Sequence, residues 1–236
     1  MTKEMLFKRA FRLKESKCTI LSEKESGIET AISSIEYHRR LLENYIKEYP
    51  QFLHSFEPLI VENAPKVAWL MSEASKKANV GPMAAVAGVL ADLAVKDMIK
   101  AGCKVAVVEN GGEVFAISNQ PIDIAFAAGD EQLSREMAFR LKDFPLGVAT
   151  SSGRFSHAFS FGDAEAVTIF ALNAGTADAA ATAVANLITG DDIKNVIRQG
   201  IDKALSIDDV KGVFILYRGV VGKAGRIPEL IKVIPT

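Results

Sequence analysis

Two cysteines and three histidines are all that this chain of 236 residues offers of those types. Cys18 and Cys103 stand far apart with no metal-ligand spacing, which argues against a zinc site and against a disulfide framework; both read as small apolar residues. An excess of either charge is also lacking: 28 Lys and Arg face 29 Asp and Glu, a formal net charge of −1. No overall attraction to nucleic acid or to a membrane surface follows from that balance. No run approaches the roughly 18 consecutive apolar residues of a membrane-spanning helix. The stretch from Met1 to Arg9 has no apolar segment of signal-peptide length, so the expectation is a soluble, cytoplasmic protein. There is no internal repeat and no low-complexity linker, so a single domain over 1–236 is expected. A chain of this length can bury a sizeable core without staples.

What is present is a mixture of the two hydrophobic periods. Residues 5–21 alternate like a β-hairpin turning at Glu15–Lys17, with charged positions marking an edge strand. Residues 27–48 carry Ile28, Ile32, Ile35, Leu41/Leu42 and Tyr45/Ile46 at helical spacing; His38-Arg39-Arg40 within them could bind an anion or form a solvated face. A second helix is expected at about 63–79, and a small-residue helix at 84–101 closing at Gly102. Strands follow at 105–108, 114–117 and 122–126, the first two joined by a turn in which Asn110-Gly111 takes positive φ. Residues 129–143 read as polar helix or loop; the stretch 146–154 follows, and 155–162 reads as a strand end. Next come a strand at 166–172, an Ala-rich helix running to Thr189, and a helix capped by Asp191 or Asp192 that reaches about Leu205. Val213–Tyr217 is a late strand, and the tail from Arg226 is a short helix or extended. Helices and strands do not alternate as regular βαβ units, so the class is α+β. Residues 1–60 form a hairpin-plus-helix portion, and 80–190 carry the motifs.

The strand-turn-helix around Gly175–Ala183 is the most informative piece. Asp178 and Thr182 are four apart and share one face of the first helical turns. A carboxylate and a hydroxyl there suit a hard cation, and the N–H groups of a helix start suit phosphate. Capping and packing account for the same two residues equally simply.

Four segments in order carry a family resemblance: Gly88–Asp92, Asn110–Glu113, Val148–Gly153 and Ala177–Thr182. Together they resemble the ApbE-like flavin transferases, which take FMN from FAD and esterify it to a Thr or Ser of a partner protein. The wording of Gly81-Pro82-Met83 and of Ser156–Gly162 is similar to a shorter branch of that superfamily whose function is uncharacterised. The resemblance implies an ApbE-like fold of helices and antiparallel sheet. It implies a Mg²⁺ site at Asp178 and Thr182, with carbonyls from Ala181 and from near Val86. It further implies FAD beside Gly111, Gly112, Thr150, Ser151 and Ser152, and His157 as the general base for the attacking hydroxyl. The partners implied are a small phosphate-bearing ligand and an acceptor protein.

The chain departs from the family at several places. The lysine before the glycine of its first motif is Ala87, and the aspartate after the Gly-Gly pair is Glu113. A long His-rich segment is reduced to Ser156-His157-Ala158. The groups suited to cation and phosphate are kept, while those holding the flavin end are partly missing. Two further readings therefore stand beside the enzyme: a module that binds a flavin or nucleotide without turning it over, and an interaction protein. In the latter the small-residue helices 84–101 and 174–189 would pack within a core or across a homodimer.

Overall fold

The computed structural model describes residues 5–125, 137–152 and 162–232. The chain begins with the hairpin β1 (Phe7–Leu13) and β2 (Ser16–Ser22), then the long helix α1 (Glu25–Glu48), a short α2 (Gln51–His54) and α3 (Lys66–Ala78). A 3₁₀ turn at Pro82–Ala85 leads into α4 (Val86–Lys100). Strands β3 (Ala106–Asn110), β4 (Glu113–Ile117), β5 (Ile122–Ala125), β6 (Met137–Leu141), β7 (Leu146–Ser151) and β8 (Ala166–Ala171) follow. The chain continues with α5 (Ala174–Ala185), α6 (Ile193–Leu205), β9 (Val210–Tyr217), β10 (Val220–Gly225) and β11 (Glu229–Lys232).

Eight strands form one sheet in the order β1-β2-β3-β4-β7-β8-β9-β10, and three more form a second, β11-β6-β5. Every neighbouring pair is antiparallel. Strand alternation sends successive side chains to opposite faces of the large sheet. Ala106, Val108, Phe115, Ala149, Val167, Ile169, Val213 and Ile215 face the helices, in two apolar clusters built with α1, α3, α4 and α5. Val107, Val114, Val148, Phe170 and Phe214 face the other way, where they pack with Ile122, Phe139 and Leu141 of the small sheet. The molecule is thus three layers: helices, large sheet, small sheet. Among the described residues no single helix is long and apolar enough to cross a membrane.

The hairpin, α1, α3 and α4 form where their periodicity predicts. Arg39 has no vacancy for an anion, because its guanidinium donates to Glu43 at 2.9 Å and Ser16 at 2.8 Å and pairs with Glu15. His38 is buried near Asp97. Other expectations need correction. Residues 137–141 are a strand, not polar helix or loop: Phe139 and Leu141 are buried on one face, and Arg140 lies on the other, bound to Asp123 of β5. The tail after Arg226 is extended, as strand β11, and Val220–Gly225 ahead of it forms a further strand that the sequence reading left unassigned. In β10, Gly222 is needed because a Cβ there would stand 2.1 Å from Ile197 Cγ2 of α6. The β3–β4 turn takes its positive φ at Gly111 (73°) and Gly112 (116°), while Asn110 stays in the strand. The predicted strand end at 155–162 lies largely outside the described residues.

Candidate functional site

Helices α4 and α5 cross almost in backbone contact. A Cβ on Gly88 would stand 2.3 Å from the Ala174 carbonyl oxygen, and one on Gly175 would stand 2.6 Å from Val89 Cγ2. Only glycine permits this approach, and it allows each helix to cap the other. Asp92 of α4 reaches the start of α5, where its two oxygens accept from the Ala174 N–H at 2.8 Å and the Gly175 N–H at 3.0 Å. Asp178 of α5 reaches back to the start of α4, where Oδ2 accepts from the Gly88 N–H at 3.0 Å, with the Ala87 N–H also directed at this carboxylate. The N-cap residue of α4, Ala85, has no side chain able to do this. The N-cap of α5, Asn173, takes the third N–H, from Thr176 at 2.8 Å.

The β3–β4 hairpin closes the site from the sheet. Asn110, paired across the turn with Glu113, donates its side-chain amide to the Ala87 carbonyl at 3.1 Å. By strand parity Glu113 lies on the same face as Phe115, toward the helices. Gly111 N–H donates to the Lys17 carbonyl at 2.9 Å, and Gly112 N–H to Glu109 Oε1 at 2.9 Å. Val114 stands opposite Val148, so the Gly111–Gly112 turn and the Thr150–Ser152 end of β7 lie at the same edge of the sheet.

Three carboxylates converge here and all are pushed toward their neutral forms. Burial raises Asp178 to about 7, against the Gly88 N–H and with help from the charge of Asp92. Burial raises Asp92 to about 6, against the N–H groups of Ala174 and Gly175. Burial puts Glu113 well above the usual carboxylate range, and the charges of Asp178 and Glu109 push it the same way. Like charges in a poorly solvated place cannot all ionise without a counter-charge.

The predicted site residues therefore fall as follows. Asp178 and Thr182 are half-buried positions of α5, whose other residues from Ala174 to Ala185 are buried. Ala181 is buried between them along the same helix, and Val86 is the half-buried first residue of α4, beside the Asp178 carboxylate. Gly111 and Gly112 form the exposed turn next to Glu113. Ser151 is buried on the helix-facing side of β7. Thr150 points to the opposite face, where its hydroxyl bonds that of Thr168 at 2.9 Å. Ser152 follows β7 directly, and His157 lies outside the described residues. One expectation is overturned. The N–H groups at the start of α5 do not face outward for phosphate, because Asp92 and Asn173 have taken them. The small-residue faces of α4 and α5 are buried inside the protein, against each other and the sheet.

In the sequence, Asp92, Asn110 and Glu113 stand out only as parts of motifs. The signal for Asp92 was its isolation, since it is the sole charged residue between Val80 and Val95. A lone carboxylate in such a run is buried and must be paired.

The architecture is that of the flavin transferases named ApbE. It superposes on the apo flavinyl transferase ApbE of Pseudomonas stutzeri with a TM-score of 0.63, covering 94% of each chain at 13% identity. The ApbE protein of Thermotoga maritima gives 0.60 over 93% of this chain and 97% of that one, at 15% identity. The shared property at such identities is the fold. Sequence relationship is closer to archaeal proteins. A UPF0280 protein of Methanococcus maripaludis is 38% identical over 231 residues, 96% of this chain and 93% of that protein. A UPF0280 protein of Methanocaldococcus jannaschii is 38% identical over 233 residues, 97% and 94% of the two chains. The family model described as AbpE bacteria matches residues 7–212, and the chain belongs to that family.

Proposed function

We propose that the protein is a Mg²⁺-dependent enzyme of the flavin-transferase type that uses FAD or a related nucleotide. The observation that carries this reading is an imbalance of hydrogen-bonding groups at the α4–α5 crossing. The N–H groups of Gly88, Gly111, Gly112, Ala174, Gly175 and Thr176 are all engaged within the protein. What remains among the described residues is a set of acceptor oxygens: the carboxylates of Asp178 and Glu113 and the hydroxyl of Thr182. Such a set fits a hard divalent cation and repels a bare phosphate. The phosphate ligand would accordingly be held through the cation, with Gly111, Gly112 and the Thr150–Ser152 segment bordering it.

Asp178 and Thr182 would hold Mg²⁺, with carbonyls from Ala181 and from near Val86 as the further oxygens the family pattern implies. The bound cation supplies charge neutralisation on the pyrophosphate. In transfer, the acceptor hydroxyl oxygen bonds to the phosphorus of the FMN half, the pyrophosphate P–O bond breaks, and AMP leaves with the electron pair. His157 would receive the hydroxyl proton. With water in place of the acceptor, the same site would hydrolyse FAD.

Binding should survive better than transfer. Ala87 replaces the family's lysine and His157 is the remnant of its His-rich segment, so orientation of two reactants suffers most. The test is a thermal-shift screen of FAD, FMN and nucleotides with and without Mg²⁺, followed by mass spectrometry of an acceptor protein incubated with FAD and Mg²⁺. A ligand that binds the folded state raises the midpoint by mass action. An FMN adduct identifies a transferase, AMP and FMN without adduct identify a hydrolase, and a Mg²⁺-dependent shift without products identifies a binding module. No shift with any ligand overturns the reading.

A further inference from the structure

We propose that Asp92 is a positioning residue for Asp178: by gripping the first two N–H groups of α5 it sets where the cation-binding carboxylate stands relative to α4. The proposal rests on the reading of Asp178 as a cation ligand, and it assigns to Asp92 a role distinct from ligation. Asp92 faces the Ala174 and Gly175 N–H groups, at 2.8 and 3.0 Å, with both of its oxygens used. It is 4% exposed, too enclosed to meet a ligand. Three residues on from Gly175, Asp178 leaves the same helix and reaches the Gly88 N–H, one turn before Asp92 on α4. The two contacts form a closed loop: Gly88 to Asp178, along α5 to Gly175, across to Asp92, and back along α4. Gly88 and Gly175 sit at the point of closest approach, where any side chain would force the helices apart. A loop closed at both ends by carboxylates fixes the separation and rotation of the two helices together. Releasing the Asp92 end leaves α5 capped by its own Asn173 but free to shift relative to α4, which carries Asp178 away from Val86 and Ala87. Partners that orient a metal ligand without touching the metal typically change affinity 10–100-fold.

Affinity and stoichiometry separate positioning from a merely structural role. Mn²⁺ binding is followed by electron paramagnetic resonance, with FAD at saturation, in the full-length protein and three variants. Asp92→Asn keeps the volume but loses one of the two acceptors. Gly175→Ala keeps Asp92 and displaces α5 by steric contact with Val89. Asn173→Ala removes the cap of α5 itself, leaving the link between the helices intact. The expected result is one Mn²⁺ per chain throughout, with affinity lowered roughly 10–100-fold in Asp92→Asn and in Gly175→Ala, and unchanged in Asn173→Ala. A structural role alone would lower the fraction of chains that bind and leave the affinity of the remainder as in the wild type; that result overturns the proposal. Equal weakening in Asn173→Ala and Asp92→Asn overturns it as well. If Asp92→Asn does not fold, Gly175→Ala decides by the same criterion. Wild-type protein that binds no Mn²⁺ refutes the cation reading itself, and the proposal falls with it.

Discussion

The replacement Asp178→Asn should change how stability depends on pH, in a direction that follows from the site. The Asp178 carboxyl is raised from 3.8 to about 7 in the folded protein, chiefly by burial. The folded state then holds a proton that the unfolded chain has already released, so stability falls as pH rises from the unfolded value through the folded one. Integrated from about pH 5 to pH 8, this single group costs roughly 2–3 kcal/mol. For a chain of this size that is on the order of 5–10 °C in midpoint. The amide that replaces the carboxyl cannot ionise, so in EDTA the variant should gain on the wild type by about that amount between pH 5 and pH 8. Relief of Glu113, which the Asp178 charge pushes upward, works in the same sense. Mg²⁺ should restore the wild type at pH 8 and leave the variant unmoved. The assay is thermal denaturation by circular dichroism at both pH values, with EDTA or Mg²⁺. Parallel pH profiles for the two proteins would refute the claim that Asp178 ionises against a burial penalty.

Three further outcomes are expected. Gly88→Ala drives a methyl group to 2.3 Å from the Ala174 carbonyl and should destabilise by about 1–3 kcal/mol, read from the urea midpoint. Thr168→Val breaks the part-buried hydroxyl pair with Thr150 and should lower stability by about 1 kcal/mol in the same titration. His157→Ala should leave the urea midpoint unchanged and lower any turnover by roughly 10²–10⁴-fold; an unchanged rate at saturating substrate returns the residue to a structural role.

Periodicity made the helical side of the molecule legible before its structure. Ile28, Ile32 and Ile35 place α1 on the sheet, and the alternation through Phe7, Phe11 and Leu13 marks the edge hairpin. What escaped depends on partners distant in sequence. Met137–Leu141 reads as polar until Asp123 is known to pair with Arg140, and the strand Val220–Gly225, paired with β9, has no counterpart in the sequence reading. The candidate site follows the same division. The shared face of Asp178 and Thr182 was readable from i, i+4 spacing, and the fold from the order of four short motifs. That Asp178 caps a second helix was not readable, because nothing local in the sequence brings Gly88 next to it. The first-turn N–H groups of α5 look available for phosphate in one dimension. In three dimensions Asp92, eighty-two residues upstream of Ala174, has already used two of them.

If the site offers acceptors, as proposed, its phosphate ligand must arrive through a cation. Isothermal titration calorimetry of FAD into the wild-type protein, once with Mg²⁺ and once with EDTA, puts that dependence to the test. Saturable binding near one FAD per chain is expected with Mg²⁺, and no measurable heat of binding in EDTA. Equal affinity in both buffers would mean that protein N–H groups hold the phosphates after all, and the cation-mediated site would have to be abandoned.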